Sequence, residues 1–283
     1  MQKTVLITGG NGGIGQATAT EMARRGYRVI ITARSQAKAE AALAEITAAS
    51  GSDDVEFRLL DLASLDSVRA LVAQLHDDLD GLDVLIDNAG IVQRTRTETA
   101  DGFESTFGVN HLGHFVLTNG LVDLLEAAAP SRIVVLSSGA HEFAKGGLDF
   151  EDLQAERSFS SMRVYGRSKL ANLLFTRELA KRLDGTGVTV NAVHPGAVRT
   201  RLGRDGDGGR LGNLAMALLG PFFRSADKGA RTSVYVATDP SLADVSGAYF
   251  ANEKTKEPAA TALDDEAAAR LWTISEELTG ATR

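Results

Sequence analysis

Cysteine is absent from all 283 residues, and that absence alone removes disulfides, thiolate nucleophiles and cysteine-based zinc or iron–sulfur sites. Any catalysis must use oxygen and nitrogen groups. Excess positive charge is missing too: 30 Lys and Arg stand against 37 Asp and Glu, a formal net charge of -7, which argues against nucleic acid as a partner. The most apolar stretch, Leu211 to Phe223, falls short of the about 20 residues a bilayer crossing needs, so no transmembrane segment is expected. The opening Met1 to Ile7 runs straight into a strand-like segment and leaves no room for the charged, apolar and cleavage regions of a signal peptide; a cytoplasmic enzyme is the expectation. No internal repeat is visible. The balance of 43% apolar and 24% charged residues suits a globular chain, and one α/β domain over residues 1–283 is the simplest organisation.

What is present is an alternation of short Val/Ile/Leu-rich runs with longer segments of helical period, the mark of βαβ units feeding a parallel sheet. Seven strands are expected, at Thr4 to Thr8, Arg28 to Ala33, Val55 to Leu59, Val84 to Ile86, Arg132 to Ser137, Val188 to Val193 and Ala248 to Phe250. Leu65, Val68, Leu71, Val72, Leu75 and Leu79 recur at three and four residues, a core-facing stripe on a helix that Ser64 can cap. Leu112, Phe115, Val116, Val122 and Leu125 form a second such stripe. Two segments break the rhythm, His141 to Ser160 and Arg199 to Arg224. The second, with glycines before an apolar patch, reads as a substrate lid over 199–224, although a tolerated surface insertion would have the same composition.

Immediately after the first strand comes Thr8-Gly9-Gly10-Asn11-Gly12-Gly13-Ile14-Gly15, and a helix follows. A pyrophosphate needs backbone N–H groups at a helix N-terminus with no Cβ in the way, so Gly9, Asn11, Gly12, Gly13, Ile14 and Gly15 are candidate cofactor contacts. A flexible turn would also be glycine-rich; the strand before and the helix after are what make the dinucleotide reading specific. The fold class that follows is a doubly wound, single-domain Rossmann fold, a seven-stranded parallel sheet flanked by helices. The second strand ends in Thr32-Ala33-Arg34-Ser35. A carboxylate for the ribose diol of NAD is lacking there, and Arg34 can fork onto a 2'-phosphate, which favours NADP(H) over NAD(H). A solvated surface arginine is the plainer alternative.

Further on lie Asp87-Asn88-Ala89-Gly90, Asn110, Ser137-Ser138, Tyr165-Gly166-Arg167-Ser168-Lys169 and Pro195-Gly196 with Thr200. Over nearly its whole length the chain resembles the short-chain dehydrogenase/reductase family. The runs Gly108 to Phe115, Ser168 to Asn172 and Arg270-Leu271-Trp272, with the long spacing from Ser138 to Tyr165, look like its retinol-dehydrogenase-like branch. The resemblance implies Tyr165 as general acid/base, Lys169 as its partner, Ser138 as donor to the substrate oxygen and Asn110 as anchor of a water-linked proton path. It also implies cofactor contacts at Asp61, Leu62, Asn88, Ala89, Gly90, Tyr165, Lys169, Pro195, Gly196, Val198 and Thr200. The chemistry is coherent: a spacing of four puts Tyr165 and Lys169 on one helix face, where an ammonium is expected to lower the phenol's pKa. Asp61 can equally cap local backbone, and Pro195-Gly196 can be an ordinary turn.

The implied reaction is an NADP(H)-dependent hydride transfer to or from the carbonyl or alcohol carbon of a small hydrophobic substrate, in a homo-oligomer, dimer or tetramer. Asp87, where the family often has Asn, is expected to matter little. Retinoid specificity does not follow. His111 and His114 lie three apart on a presumed helix with no third ligand evident, so no metal is expected. His194 reads as structural. A non-catalytic NADP(H)-binding regulatory protein is the alternative function, disfavoured by the presence of both Tyr165 and Lys169. Sugar-nucleotide epimerisation ranks lower, because the stretch after Pro195 is short for a substrate domain.

Overall fold

The computed structural model describes residues 2–196 and 225–281. Eight strands form one sheet in the order β3-β2-β1-β4-β5-β6-β7-β8. They are β1 Thr4–Ile7, β2 Arg28–Ala33, β3 Val55–Leu59, β4 Val84–Asp87, β5 Ser131–Leu136, β6 Val188–His194, β7 Tyr249–Ala251 and β8 Lys254–Thr255. The first seven are parallel and β8 pairs antiparallel with β7. The parallel sheet is thus the expected one, and the eighth strand is additional. Both residues of β8 are exposed, so they carry no buried alternation by which the sequence could announce them.

Helices α1 Gly13–Arg24, α2 Gln36–Ser50 and α3 Leu65–Asp78 lie in the first half. There follow α4 Ser105–Phe107, a π-helical turn Gly108–Leu112, α5 Gly113–Gly120 and α6 Val122–Ala127, then the long α7 Ser161–Arg182, α8 Ala226–Thr238 and α9 Asp265–Thr279. The second apolar stripe is therefore no single regular helix: the π turn opens it, and Leu121 separates α5 from α6. Ser64 caps α3, its hydroxyl accepting from the Ser67 N–H at 3.3 Å. Asp264 does the same for α9, accepting from the Ala267 N–H at 2.9 Å.

Successive strand residues belong to different cores, as a period of two requires. Leu6, Leu85 and Ile133 pack with α3, α5 and the far half of α7, whereas Val5, Ile7, Val84, Ile86 and Val134 pack with α1, α2 and α8. Both faces of the sheet are covered, which is why these strands read as continuous apolar runs. With β1 flanked by β2 on one side and β4 on the other, the strand order reverses at β1, and a ligand crevice opens at the carboxyl ends there.

Candidate active site

Thr8 follows β1 and is fully buried. Its hydroxyl oxygen accepts the Asn88 and Ala89 N–H groups at 2.8 and 2.9 Å, and the Asn88 side-chain amide donates to the Thr8 carbonyl at 2.7 Å. The glycine loop is thereby strapped to the segment after β4. Backbone conformation and close approach dictate several of its residues. Gly9 adopts φ +65°, and a Cβ on Gly15 would stand 2.4 Å from the Gly9 carbonyl oxygen and 2.5 Å from the Asn88 amide nitrogen. A Cβ on Gly12 would meet nothing within 4 Å, so protein packing does not explain that glycine, whereas a ligand approaching the backbone does. Gly12 gives α1 no side-chain cap, leaving the first N–H groups of the helix to an anion. Here the residues present fit a dinucleotide pyrophosphate. Ile14 packs partly against the core beneath, and Asn11 is half-buried.

Arg34 is exposed just past β2, on the same edge of the sheet. One carboxylate oxygen of Asp61 accepts from the Ala63 N–H at 3.0 Å. Leu62 is buried in the core, against Gly113, so its side chain is packing and only its backbone is left for a ligand.

Asn110 sits in the π turn. Its side chain accepts from the Ile91 N–H at 2.7 Å and donates to the Ile91 carbonyl and the Ser168 hydroxyl, each at 3.0 Å. Ser168 lies on α7 between Tyr165 and Lys169 and donates to the Tyr165 carbonyl at 2.8 Å. The buried Lys169 ammonium donates to the Leu136 carbonyl at 3.0 Å and stands 5.8 Å from the centre of the Tyr165 ring. A Cβ on Gly90 would fall 3.2 Å from the Asn110 side-chain oxygen and 3.5 Å from the Lys169 nitrogen. Gly90 is thus where the cradle and the α7 groups converge. Ser138 follows β5; its oxygen accepts from the Ala140 N–H at 3.1 Å, and it hydrogen-bonds the Tyr165 side chain.

The titration of the pair differs from expectation. Burial raises the Tyr165 phenol above its ordinary value, with the Ser138 hydrogen bond only partly opposing it. Burial also pushes Lys169 down to about 8. In this protein both groups are driven toward their neutral forms, because desolvation outweighs the attraction that four-residue spacing suggested.

Pro195 and Gly196 follow β6, and Gly196 takes φ +85°. His194 Nδ1 accepts from the Gly139 and Gly196 N–H groups at 3.2 and 3.4 Å, tying this turn to the one after Ser138. His141 acts similarly: its Nδ1 donates to the Ser138 carbonyl at 2.7 Å and its Nε2 accepts from the Ala259 N–H at 3.1 Å. Sequence reasoning missed both ties, since the partners lie 55 and 118 residues away. His111 contacts the Ser275 hydroxyl at 2.9 Å; His114 lies between Thr8 and Asn110. Val198, Thr200 and the expected lid at 199–224 fall outside the described residues. Among the described residues no helix is long and apolar enough to cross a membrane.

The model of the short chain dehydrogenase family matches residues 3–149 and 152–207. Retinol dehydrogenase 14 of Mus musculus is 49% identical, the alignment covering 98% of this chain and 86% of that protein. Retinol dehydrogenase 13 of Homo sapiens is 48% identical, with 98% and 85% covered. Among solved structures, a Mycobacterium Paratuberculosis protein aligns with a TM-score of 0.79 at 38% identity, over 99% of this chain and 94% of its own. The NADP active-site complex of Pseudomonas aeruginosa RhlG aligns at 0.70 and 25% identity, over 88% and 94%.

Proposed function

This chain belongs to the short chain dehydrogenase family, and from that premise we propose that it is an NADP(H)-dependent enzyme with Tyr165 as its general acid/base. Membership makes it an oxidoreductase acting on CH–OH or C=O carbon. The finer reading is that the substrate is a small hydrophobic carbonyl compound or alcohol. The observation that carries the catalytic assignment is the convergence at Gly90, where Asn110 and Lys169 meet the segment that straps down the glycine loop.

The N–H groups at the start of α1 would hold the pyrophosphate, and Arg34, in the run Thr32-Ala33-Arg34-Ser35 whose sequence contains no Asp or Glu, would take a 2'-phosphate. When bound, the nicotinamide supplies or accepts the hydride. Ser138 receives the Ala140 N–H on one lone pair and directs its proton to the Tyr165 oxygen; with substrate bound, that proton would turn to the substrate oxygen. In carbonyl reduction Tyr165 passes its phenolic proton to that same oxygen, so carbon gains hydride and oxygen gains a proton. Lys169, held in place by the Leu136 carbonyl, stabilises the phenolate left behind. The relatives named retinol dehydrogenases support an apolar alcohol or aldehyde, and the apolar composition of Leu211 to Phe223 agrees. The NADP complex of a structural relative supports the cofactor assignment.

The test is NADPH oxidation across aldehydes, ketones and quinones, repeated with Tyr165→Phe. A loss of about 10²-fold or more is expected for the variant. Equal turnover by both proteins would remove Tyr165 from the mechanism, and NADPH binding without turnover of any carbonyl would leave a regulatory protein instead.

A further inference from the structure

His114 stands at the start of α5, four residues after Asn110, and is 3% exposed. Its Nδ1 lies 3.3 Å from the Asn110 backbone carbonyl and its Nε2 2.9 Å from the Thr8 hydroxyl oxygen. A carbonyl only accepts, so the ring proton belongs on Nδ1 and Nε2 is left as an acceptor. Thr8 completes the assignment. Its oxygen already receives two N–H groups, from Asn88 and Ala89, and its own proton goes to Nε2 in preference to the Ile86 carbonyl at 3.4 Å. An imidazolium would need an acceptor where Thr8 offers a proton; burial, with the Lys169 charge nearby, accordingly pushes the His114 pKa down to about 3.

We propose that His114 is a positioning residue, a permanently neutral imidazole that sets the phosphate cradle and the acid–base helix at a fixed separation. One nitrogen grips Thr8, which orders the Asn88 and Ala89 amides beside the glycine loop. The other grips the π turn bearing Asn110, whose side chain holds Ser168 and through it the Tyr165 carbonyl. The bridge is continuous from the end of β1 to α7. The π turn contributes: the Gly113 N–H reaches back five residues to the Gly108 carbonyl, a widened ladder of the kind that re-aims groups at functional sites. The inference rests on the oxidoreductase reading only for what is being positioned.

The two nitrogens can be removed separately. An asparagine at 114 keeps a donor near the Nδ1 position but does not reach Thr8; a glutamine keeps an acceptor near the Nε2 position; a leucine keeps neither. Hydrogen-bond losses of this size correspond to about tenfold each. His114→Leu is expected to weaken NADPH binding about tenfold, lower kcat about tenfold and speed hydrogen exchange of the Asn88 and Ala89 amides in the cofactor-free protein. His114→Gln should restore binding and slow exchange while kcat stays low, and His114→Asn should do the reverse. Imidazole nitrogen shifts of the cofactor-free wild type should show the Nδ1–H tautomer at pH 7.

An Nε2–H tautomer or an imidazolium at that pH would overturn the proposal. So would three variants that match the wild type, or three that lose binding and kcat together in proportion to lost stability. If the leucine variant does not fold, the split between asparagine and glutamine decides. A wild-type protein that neither binds NADPH nor reduces any carbonyl would sink the oxidoreductase reading, while the tautomer and exchange data would still judge the bridge.

Discussion

Asp87 ends β4 and is 1% exposed, with one carboxylate oxygen accepting from the Thr118 hydroxyl at 2.8 Å and the other buried without a partner. Burial, opposed only by the Thr118 bond, raises its carboxyl from 3.8 to about 7. Between those values the folded chain keeps a proton that the unfolded chain has released, so stability falls as pH rises through the window. The favourable contribution is complete below the unfolded value and gone above the folded one. A displacement of about three pKa units corresponds to about 4 kcal/mol, of which about 3 kcal/mol is lost between pH 5 and pH 8. Asp87→Asn removes that slope. It retains an acceptor for Thr118 but places an unpartnered NH₂ where the free oxygen was, a pH-independent cost of about 1–3 kcal/mol. The variant is therefore expected to gain about 3 kcal/mol on the wild type between pH 5 and pH 8 and to be the more stable protein at pH 8.

Other groups titrate in the same range, and this dictates the assay. His111 and His114 are both pushed down to about 3 by burial; such depressed bases add stability as pH rises toward their unfolded value near 6.5, the opposite sense to Asp87. Lys169, lowered to about 8, acts only above that pH. The wild-type profile alone is thus a sum of opposing slopes, while the difference between wild type and Asp87→Asn isolates the carboxyl. Urea unfolding of the cofactor-free protein at pH 5, 6, 7 and 8 supplies it. Trp272, the single tryptophan and 1% exposed, reports the transition. A stability difference that stays constant across the four pH values would refute the reasoning.

Gly15→Ala forces a Cβ against the Gly9 carbonyl and the Asn88 amide, and overpacking of backbone on backbone costs about 1–3 kcal/mol. We expect a lower urea midpoint and NADPH binding weakened by at least tenfold; unchanged NADPH titration would separate this loop from the cofactor. Arg34→Asp is expected to reverse the preference toward NADH, read as the ratio of kcat/KM for the two cofactors, since a carboxylate repels the 2'-phosphate and accepts from a ribose hydroxyl. An unchanged ratio would withdraw the arginine from the assignment.

The parallel sheet was legible because each of its strands is buried on both faces and carries its apolar character within a few contiguous residues. Thr4–Ile7 and Arg28–Ala33 need no distant partner to be seen. The stripe from Leu112 to Leu125 shows the limit of this logic. Apolar spacing reports which side of a segment is buried, and it does so whether the ladder closes after four residues or after five. The π turn at Gly108–Leu112 therefore left no trace in the periodicity.

The site divides along the same line. Tyr165 and Lys169 are neighbours on one helix, so a spacing of four suffices to pair them, and Gly9 and Gly15 declare a close approach by having no side chain. Their ionisation was not legible, because it is decided by where the side chains end. Lys169 terminates on the carbonyl of Leu136, 33 residues earlier, and its burial there lowers its pKa. The phenol meets a hydroxyl that partly offsets its burial. Desolvation then acts on each group separately, raising the acid and lowering the base. Both shifts are set by burial and by partners distant in sequence, which a spacing of four on one helix does not reveal.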